Sequence, residues 1–201
     1  MCERDYVRFL LSLHHANNGA PLRNMEHLST DELLSFLCKA SPCTDAEKLV
    51  EIHAFALMPN HYHLLLTQLA ENGITKFLQR VGTSYSMYIN KKYERVGPIF
   101  QGPFKSALIE NEQHLLYIPH YIHLNPLDLM RDKNASADDK MRFLEKYKWS
   151  SLNSYVTGTT RFPSLAQTDR ILSLFGGKEQ YRKDIGHFVE TPSAKFDTLL
   201  P

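Results

Sequence analysis

In Met58-Pro59-Asn60-His61-Tyr62-His63-Leu64-Leu65-Leu66, two imidazoles stand one residue apart at the head of an apolar run. The run reads as a β-strand. Side chains on a strand alternate between faces, so His61 and His63 point to one side and Tyr62 and Leu64 to the other. Imidazoles on one face about 7 Å apart can share a metal ion. Upstream, Leu49 to Leu57 has the composition of a second strand. Met58-Pro59-Asn60 supplies the turn between them, where proline fixes φ and forfeits no ladder hydrogen bond. The pair predicts an antiparallel hairpin.

Helices flank it on both sides. Arg4 to His14 carries an apolar stripe of Tyr6, Val7, Leu10, Leu11 and Leu13, and Asn17-Asn18-Gly19 reads as the loop after it. Ser29 or Thr30 caps a helix that runs to Lys39 and buries Leu33, Leu34, Phe36 and Leu37. A long amphipathic helix follows the hairpin from Ile74 to Tyr93, with Phe77, Val81, Tyr85 and Tyr88 spaced three or four apart. Gly97-Pro98 breaks the chain, and Ile99 to Ile109 is expected to be extended. Asn111 caps the next helix, which ends near Asn125-Pro126. Asp132 to Asp139 reads as a mobile polar linker. Beyond it, helices are expected at Lys140–Lys148, Arg170–Phe175 and Glu179–Phe188. This order is α+β, with strands pairing antiparallel and helices packed on them, not a βαβ series.

With 201 residues, 43% hydrophobic and 22% charged, the chain supports one ordinary core and a small appendage. No apolar run reaches the ~20 residues of a membrane helix, and the amino terminus lacks a signal-peptide pattern, so a cytoplasmic location is expected. Cys2, Cys38 and Cys43 have no Cys-x-x-Cys spacing and read as free thiols. Charge is uneven. Lys76, Arg80, Lys91, Lys92, Arg95 and Lys105 face only Glu94 in the middle of the chain. Glu26, Asp31, Glu32, Asp45, Glu47 and Glu51 outnumber Lys39 and Lys48 before it. A basic middle beside an acidic flank suits a phosphate backbone lying along one face.

The second chemical motif is Tyr121-Ile122-His123-Leu124-Asn125-Pro126. On a helix, Tyr121 and Asn125 share a face. Asn125 offers an oxygen ligand, so His61, His63 and Asn125 make a donor set of two nitrogens and one oxygen. Such a set leaves a divalent cation's charge unneutralised and favours a phosphate oxygen as the next ligand, with Mg or Mn expected. Tyr121 is the candidate nucleophile. A phenol with a pKa of about 10 needs activation by metal or base. Tyr117, one turn earlier, is a rival for that role. His120 and His123 read first as surface or packing residues, with general base or phosphate contact as the second reading. Pro119 is expected to kink the helix or start a fresh turn before Tyr121.

Taken with Gly97-Pro98-Ile99-Phe100-Gln101-Gly102 and Trp149-Ser150-Ser151, the two motifs resemble those of the REP-associated tyrosine transposases. These are relatives of the insertion-sequence-200-like transposases of the His-hydrophobe-His superfamily. The tail, Ile171-Leu172-Ser173-Leu174-Phe175-Gly176 with Tyr181-Arg182, is similar as well. The resemblance implies a ferredoxin-like antiparallel sheet, with a catalytic domain over residues 1–131 and a small helical extension over 132–201. It implies metal ligation by His61, His63 and Asn125, and attack by Tyr121 on single-stranded DNA to give a 5′-phosphotyrosine, without a nucleotide cofactor. The implied substrate is a hairpin-forming repeat. Arg80, Lys91, Lys92, Arg95 and Lys105 would contact phosphates, joined by Gln101, while Phe100 or Phe104 would stack on an unpaired base. The implied assembly is a monomer or homodimer, with no membrane partner. Family members begin with a strand ahead of the first helix, and here that strand is expected to be missing. A catalytically inactive hairpin-DNA-binding relative is the alternative. A metallohydrolase ranks below both, since no further His or Asp follows His63 within ten residues.

Overall fold

The computed structural model describes residues 1–18, 25, 27–40, 48–159 and 161–191. The chain folds as two compact units, each gathered from separate stretches of sequence. Glu26, Cys43, Asp45, Glu47 and Gly19 lie outside the described residues, and Asn17 and Asn18, expected in a loop, are the last residues of the first helix.

One unit comprises Met1–Glu51, Leu66–Phe104 and Phe162–Leu165. It holds helices α1 (Glu3–Asn18), α2 (Thr30–Lys39) and α3 (Gly73–Lys92). The apolar stripe of α1 is buried through Val7, Leu10, Leu11 and Leu13, and α3 buries Phe77, Val81, Tyr85 and Ile89. α1 and α3 pack on each other, with Phe9 meeting Tyr85 edge-on at 5.0 Å. α2 starts as expected. The Ser29 hydroxyl accepts from the Glu32 N–H and the Glu32 carboxylate accepts from the Ser29 N–H, a reciprocal cap. Gly73 opens α3 where a Cβ would stand 2.2 Å from the Leu49 carbonyl oxygen, so no other residue fits there without a backbone shift.

A buried carboxylate closes this unit. Asp5 accepts from the Cys2 backbone N–H at 2.8 Å, from the Tyr88 hydroxyl at 2.9 Å and from the Tyr93 hydroxyl at 2.7 Å, and it pairs with Lys92. Burial opposes its ionisation. The Lys92, Tyr93, Cys2 and Tyr88 donors outweigh that and hold the carboxyl far below its ordinary range. The start of α1 is thereby tied to the end of α3.

The other unit comprises Ile52–Leu65, Lys105–Arg161 and Ala166–Pro201. Its helices are α4 (Glu112–Leu124), α5 (Ala137–Lys146), α6 (Leu152–Val156), α7 (Asp169–Leu174) and α8 (Lys178–Glu190), with a 3-10 helix over Asn125–Leu129. Ile118, Ile122, Leu144, Leu152, Tyr155, Ile171, Tyr181 and Ile185 form its core, together with Ala54, Ala56 and Leu65 from the hairpin. Asn111 caps α4 by accepting from the His114 N–H at 2.8 Å.

The hairpin strands are β1 (Val50–Leu57) and β2 (Tyr62–Gln68), and among the described residues they make a two-stranded sheet. Ala56 also forms an isolated antiparallel bridge to Ser150. The α+β class stands. Ile99 to Ile109 runs through bends and irregular backbone and joins no ladder. Of the expected linker over Asp132–Asp139, residues 132–136 are turn and irregular backbone, but residues 137–139 are already the first turn of α5. Ser136 caps α5 by accepting from the Asp139 N–H, so the acidic residues sit at the positive end of that helix. α4 continues through Pro119 without interruption. Among the described residues, no helix is long and apolar enough to cross a membrane.

Asp5→Asn leaves the Lys92 ammonium without its counter-charge. Urea denaturation should show a loss of about 2 kcal/mol, below the value for a fully buried pair because Lys92 remains partly exposed. An unchanged midpoint would show that the carboxylate does not hold α1 to α3.

Candidate active site

The hairpin delivers both imidazoles to one place. The His61 and His63 ring centroids are 5.0 Å apart with the planes perpendicular. His61 is exposed at the turn, where its Nδ1 lies 2.8 Å from Asn60 Oδ1. His63 is half-buried, and its Nε2 is enclosed without a hydrogen-bond partner among the described residues. Burial holds the His63 ring at about 4, helped by the neighbouring His61, while Asn125 and Asp128 push the other way. At neutral pH this imidazole is uncharged, with a lone pair to give.

The helix motif meets it. The Tyr121 and His63 rings stand edge to face with centroids 5.3 Å apart. Asn125 donates its amide N–H to the Tyr121 carbonyl at 2.8 Å. Its interaction with the His63 ring works against the effect of burial there, and with the amide nitrogen on the Tyr121 carbonyl the amide oxygen remains to serve as a ligand atom. Tyr117 lies elsewhere, with its ring against Phe188 at 5.9 Å.

The donors fit a divalent cation. A buried imidazole nitrogen left unsatisfied costs about 1–3 kcal/mol, and a metal ion satisfies it. Among the described residues, no three His, Cys, Asp or Glu side chains gather closely enough to hold an ion. A three-donor site therefore needs the Asn125 amide beside His61 and His63.

What braces α4 is a buried polar chain. His123 is fully buried and held well below its ordinary pKa, so it is neutral. Its Nδ1 lies 2.6 Å from the Tyr181 hydroxyl and its Nε2 2.7 Å from Ser151 Oγ. Ser151 Oγ also accepts from the Phe55 N–H at 2.9 Å and approaches the Phe55 carbonyl at 3.3 Å. One arrangement gives every proton an acceptor. Tyr181 donates to Nδ1, Nε2–H donates to Ser151, and Ser151 donates to Phe55. This chain links α8 through α4 to β1. Next to it, His120 stacks on Tyr181 at 4.4 Å and contacts Phe175 and Phe188. Burial holds His120 at about 4 against the pull of Asp184.

Sequence reasoning left His120 and His123 open among several roles and did not pair Ser151 with Tyr181. The available signal was spacing, since two histidines three apart between Ile118, Ile122 and Leu124 share a helix face that must be buried.

Of the residues expected to meet DNA, Lys91, Arg95, Gln101 and Lys105 are exposed. Arg80 donates to the Ala16 carbonyl at 3.0 Å, and Lys92 is held by Asp5 and stands over the Tyr93 ring. Phe100 packs against Gly82, while Phe104 is exposed.

The family model described as "Transposase IS200 like" matches residues 23–125. That span includes His61, His63, Tyr121 and Asn125. No curated protein and no solved structure gives a significant match.

Two outcomes follow. Tyr181→Phe strips a hydroxyl from the buried chain and should lower unfolding free energy by about 1–3 kcal/mol in urea, leaving His123 Nδ1 unpaired. Stability should also fall with acid. A histidine held at about 4 when folded and at 6.5 when unfolded gives full stability above pH 6.5. That contribution is lost as the pH falls to 4, about 3 kcal/mol for His120. His120→Phe should reduce, without abolishing, the fall of the urea midpoint between pH 6.5 and 4, since His14 and His63 are also held at about 4, and an unaltered slope would contradict the assignment.

Proposed function

The chain belongs to the IS200-like transposase family, and on that premise we propose that it cuts and rejoins single-stranded DNA through Tyr121. The observation that carries this reading is the meeting of the Tyr121 ring, the uncharged His63 imidazole and the Asn125 amide at one point.

His61, His63 and Asn125 would hold the divalent cation, Mg or Mn. When bound, that ion supplies Lewis-acid polarisation of a phosphate oxygen and stabilises the charge that develops there. The protein's own groups do the rest. Tyr121 Oη attacks the phosphorus as its proton passes to solvent, and the bond from phosphorus to the 3′ oxygen breaks. The departing 3′ oxygen takes a proton from water, and the 5′ phosphate stays on Tyr121 as a phosphodiester. In the reverse step a 3′-hydroxyl attacks that phosphorus, loses its proton, and returns the phenol. Two phosphodiesters exchange, so no nucleotide is consumed.

Burial of His63 maintains the unprotonated ring on which ligation depends. The Asn125 bond to the Tyr121 carbonyl fixes the amide and so orients its oxygen.

The exposed Lys91, Arg95 and Lys105, with Gln101, are assigned to the DNA backbone of a hairpin-forming repeat. Arg80 and Lys92 would reach phosphate only by giving up bonds within the protein. We assign residues 1–131 to catalysis on a ferredoxin-like sheet, with 132–201 as a helical extension that steadies it. Cytoplasmic action as a monomer or homodimer fits this reaction.

Incubating the protein with hairpin-bearing single-stranded oligonucleotides and Mn²⁺ should yield a covalent adduct that survives denaturation. Tyr121→Phe should abolish it, Tyr117→Phe should retain it, and His63→Ala or a chelator should reduce it by at least about 100-fold. Tight binding with no adduct would establish an inactive binding relative. An adduct lost only in Tyr117→Phe would move the nucleophile.

A further inference from the structure

Next to the donor set stands a carboxylate that the reaction above does not use. The 3-10 helix over Asn125–Leu129 follows α4 without a break, and Asn125 itself keeps right-handed helical dihedrals at φ −48° and ψ −40°. Tyr121, Asn125 and Asp128 therefore recur at spacings of four and three along one helical stripe. That stripe is the one that meets His63, through the Tyr121 ring.

Asp128 is exposed, and its carboxylate has no hydrogen bond or ion pair among the described residues. Lys133, the nearby cation, donates instead to the main-chain oxygens of Leu127 and Asp128 at 3.3 and 2.9 Å. The acid is thus close to the site and not neutralised by a side-chain partner.

None of the three assigned donors is a carboxylate or thiolate, so a divalent ion among them keeps its full charge. A carboxylate near such an ion lowers the cost of holding it. Asp128 is not close enough to His61 and His63 to form a direct three-residue ligand group. Its reach is therefore that of an outer partner, acting through water. Mg and Mn retain several water ligands, each a hydrogen-bond donor that a carboxylate can orient.

We propose that Asp128 is a positioning residue that accepts a hydrogen bond from a water ligand of the divalent cation and strengthens its binding at His61, His63 and Asn125. This rests on the donor set assigned under the proposed function. A carboxylate at this place also sets a preference for hydrated, oxygen-seeking ions over softer ones that shed their water.

Calorimetric titration of Mn²⁺ into the full chain, without DNA, tests it. Wild type should bind one ion, and His63→Ala should bind none. Asp128→Asn keeps shape and removes charge, and should weaken binding about tenfold at about 0.05 M KCl. Asp128→Glu should recover most of that loss. Because the effect is electrostatic at an exposed position, the gap between wild type and Asp128→Asn should narrow at about 0.5 M KCl. Equal affinities for wild type and Asp128→Asn, with His63→Ala silent, would overturn the role of Asp128 and leave the donor set standing. Equal losses in Asp128→Asn and Asp128→Glu would overturn it too, since charge would not be the cause. Binding unaffected by His63→Ala, or no binding by wild type, would overturn the donor set and this proposal together.

Discussion

His123 sits fully enclosed and uncharged, so both of its ring nitrogens must find partners inside the protein. They find the Tyr181 hydroxyl and Ser151 Oγ, and Ser151 in turn holds the Phe55 backbone. The consequence for α4 is rotational. Successive helical residues turn by about 100°, so Tyr121 and His123 project about 200° apart. With His123 locked toward the buried chain, Tyr121 must face away from it, and Asn125 comes round to nearly the same side as Tyr121. The candidate chemistry lies on one side of α4 because the brace occupies the other. A single neutral imidazole thereby fixes where a different residue's phenol can go.

Burial acts on His63 in another way. Enclosing the ring lowers its pKa and leaves Nε2 without a hydrogen-bond partner among the described residues, which is unfavourable for the protein alone and favourable for a cation. Removing water also strengthens whatever charge is placed nearby. The two imidazoles of the hairpin divide these tasks. His61 is exposed at the turn, while His63 is enclosed against Tyr121. In the proposed reaction, such a pair would admit an ion from solvent at His61 and seat it at His63.

Local pattern carried much of the architecture. The His61–His63 alternation identified β2, the stripe on α3 identified its buried face, and Ser29 and Asn111 marked helix starts, because each depends on neighbours in sequence. Asp5 with Lys92, 87 residues apart, gives no such trace, and neither does His123 with Tyr181, 58 apart. The ion pair of Lys92 was not legible because its partner lies in another helix. The segment from Asp132 read as a linker for its polarity, yet Ser136 and the acids after it are what a helix start requires. Within the candidate site, the pairing of His61 with His63 and that of Tyr121 with Asn125 were legible by periodicity, while the meeting of the two pairs was implied only by the family resemblance. Asp128 was not legible, because its relation to His63 depends on the chain continuing helically past Asn125-Pro126, where a proline suggests a stop.

Paramagnetic broadening would test the central arrangement directly. Substoichiometric Mn²⁺ added to isotope-labelled protein should first broaden the side-chain resonances of His61, His63, Asn125 and Tyr121, leaving those of His123, Tyr181 and Tyr117 sharper. Broadening centred on other side chains, or spread evenly over the protein, would contradict the account.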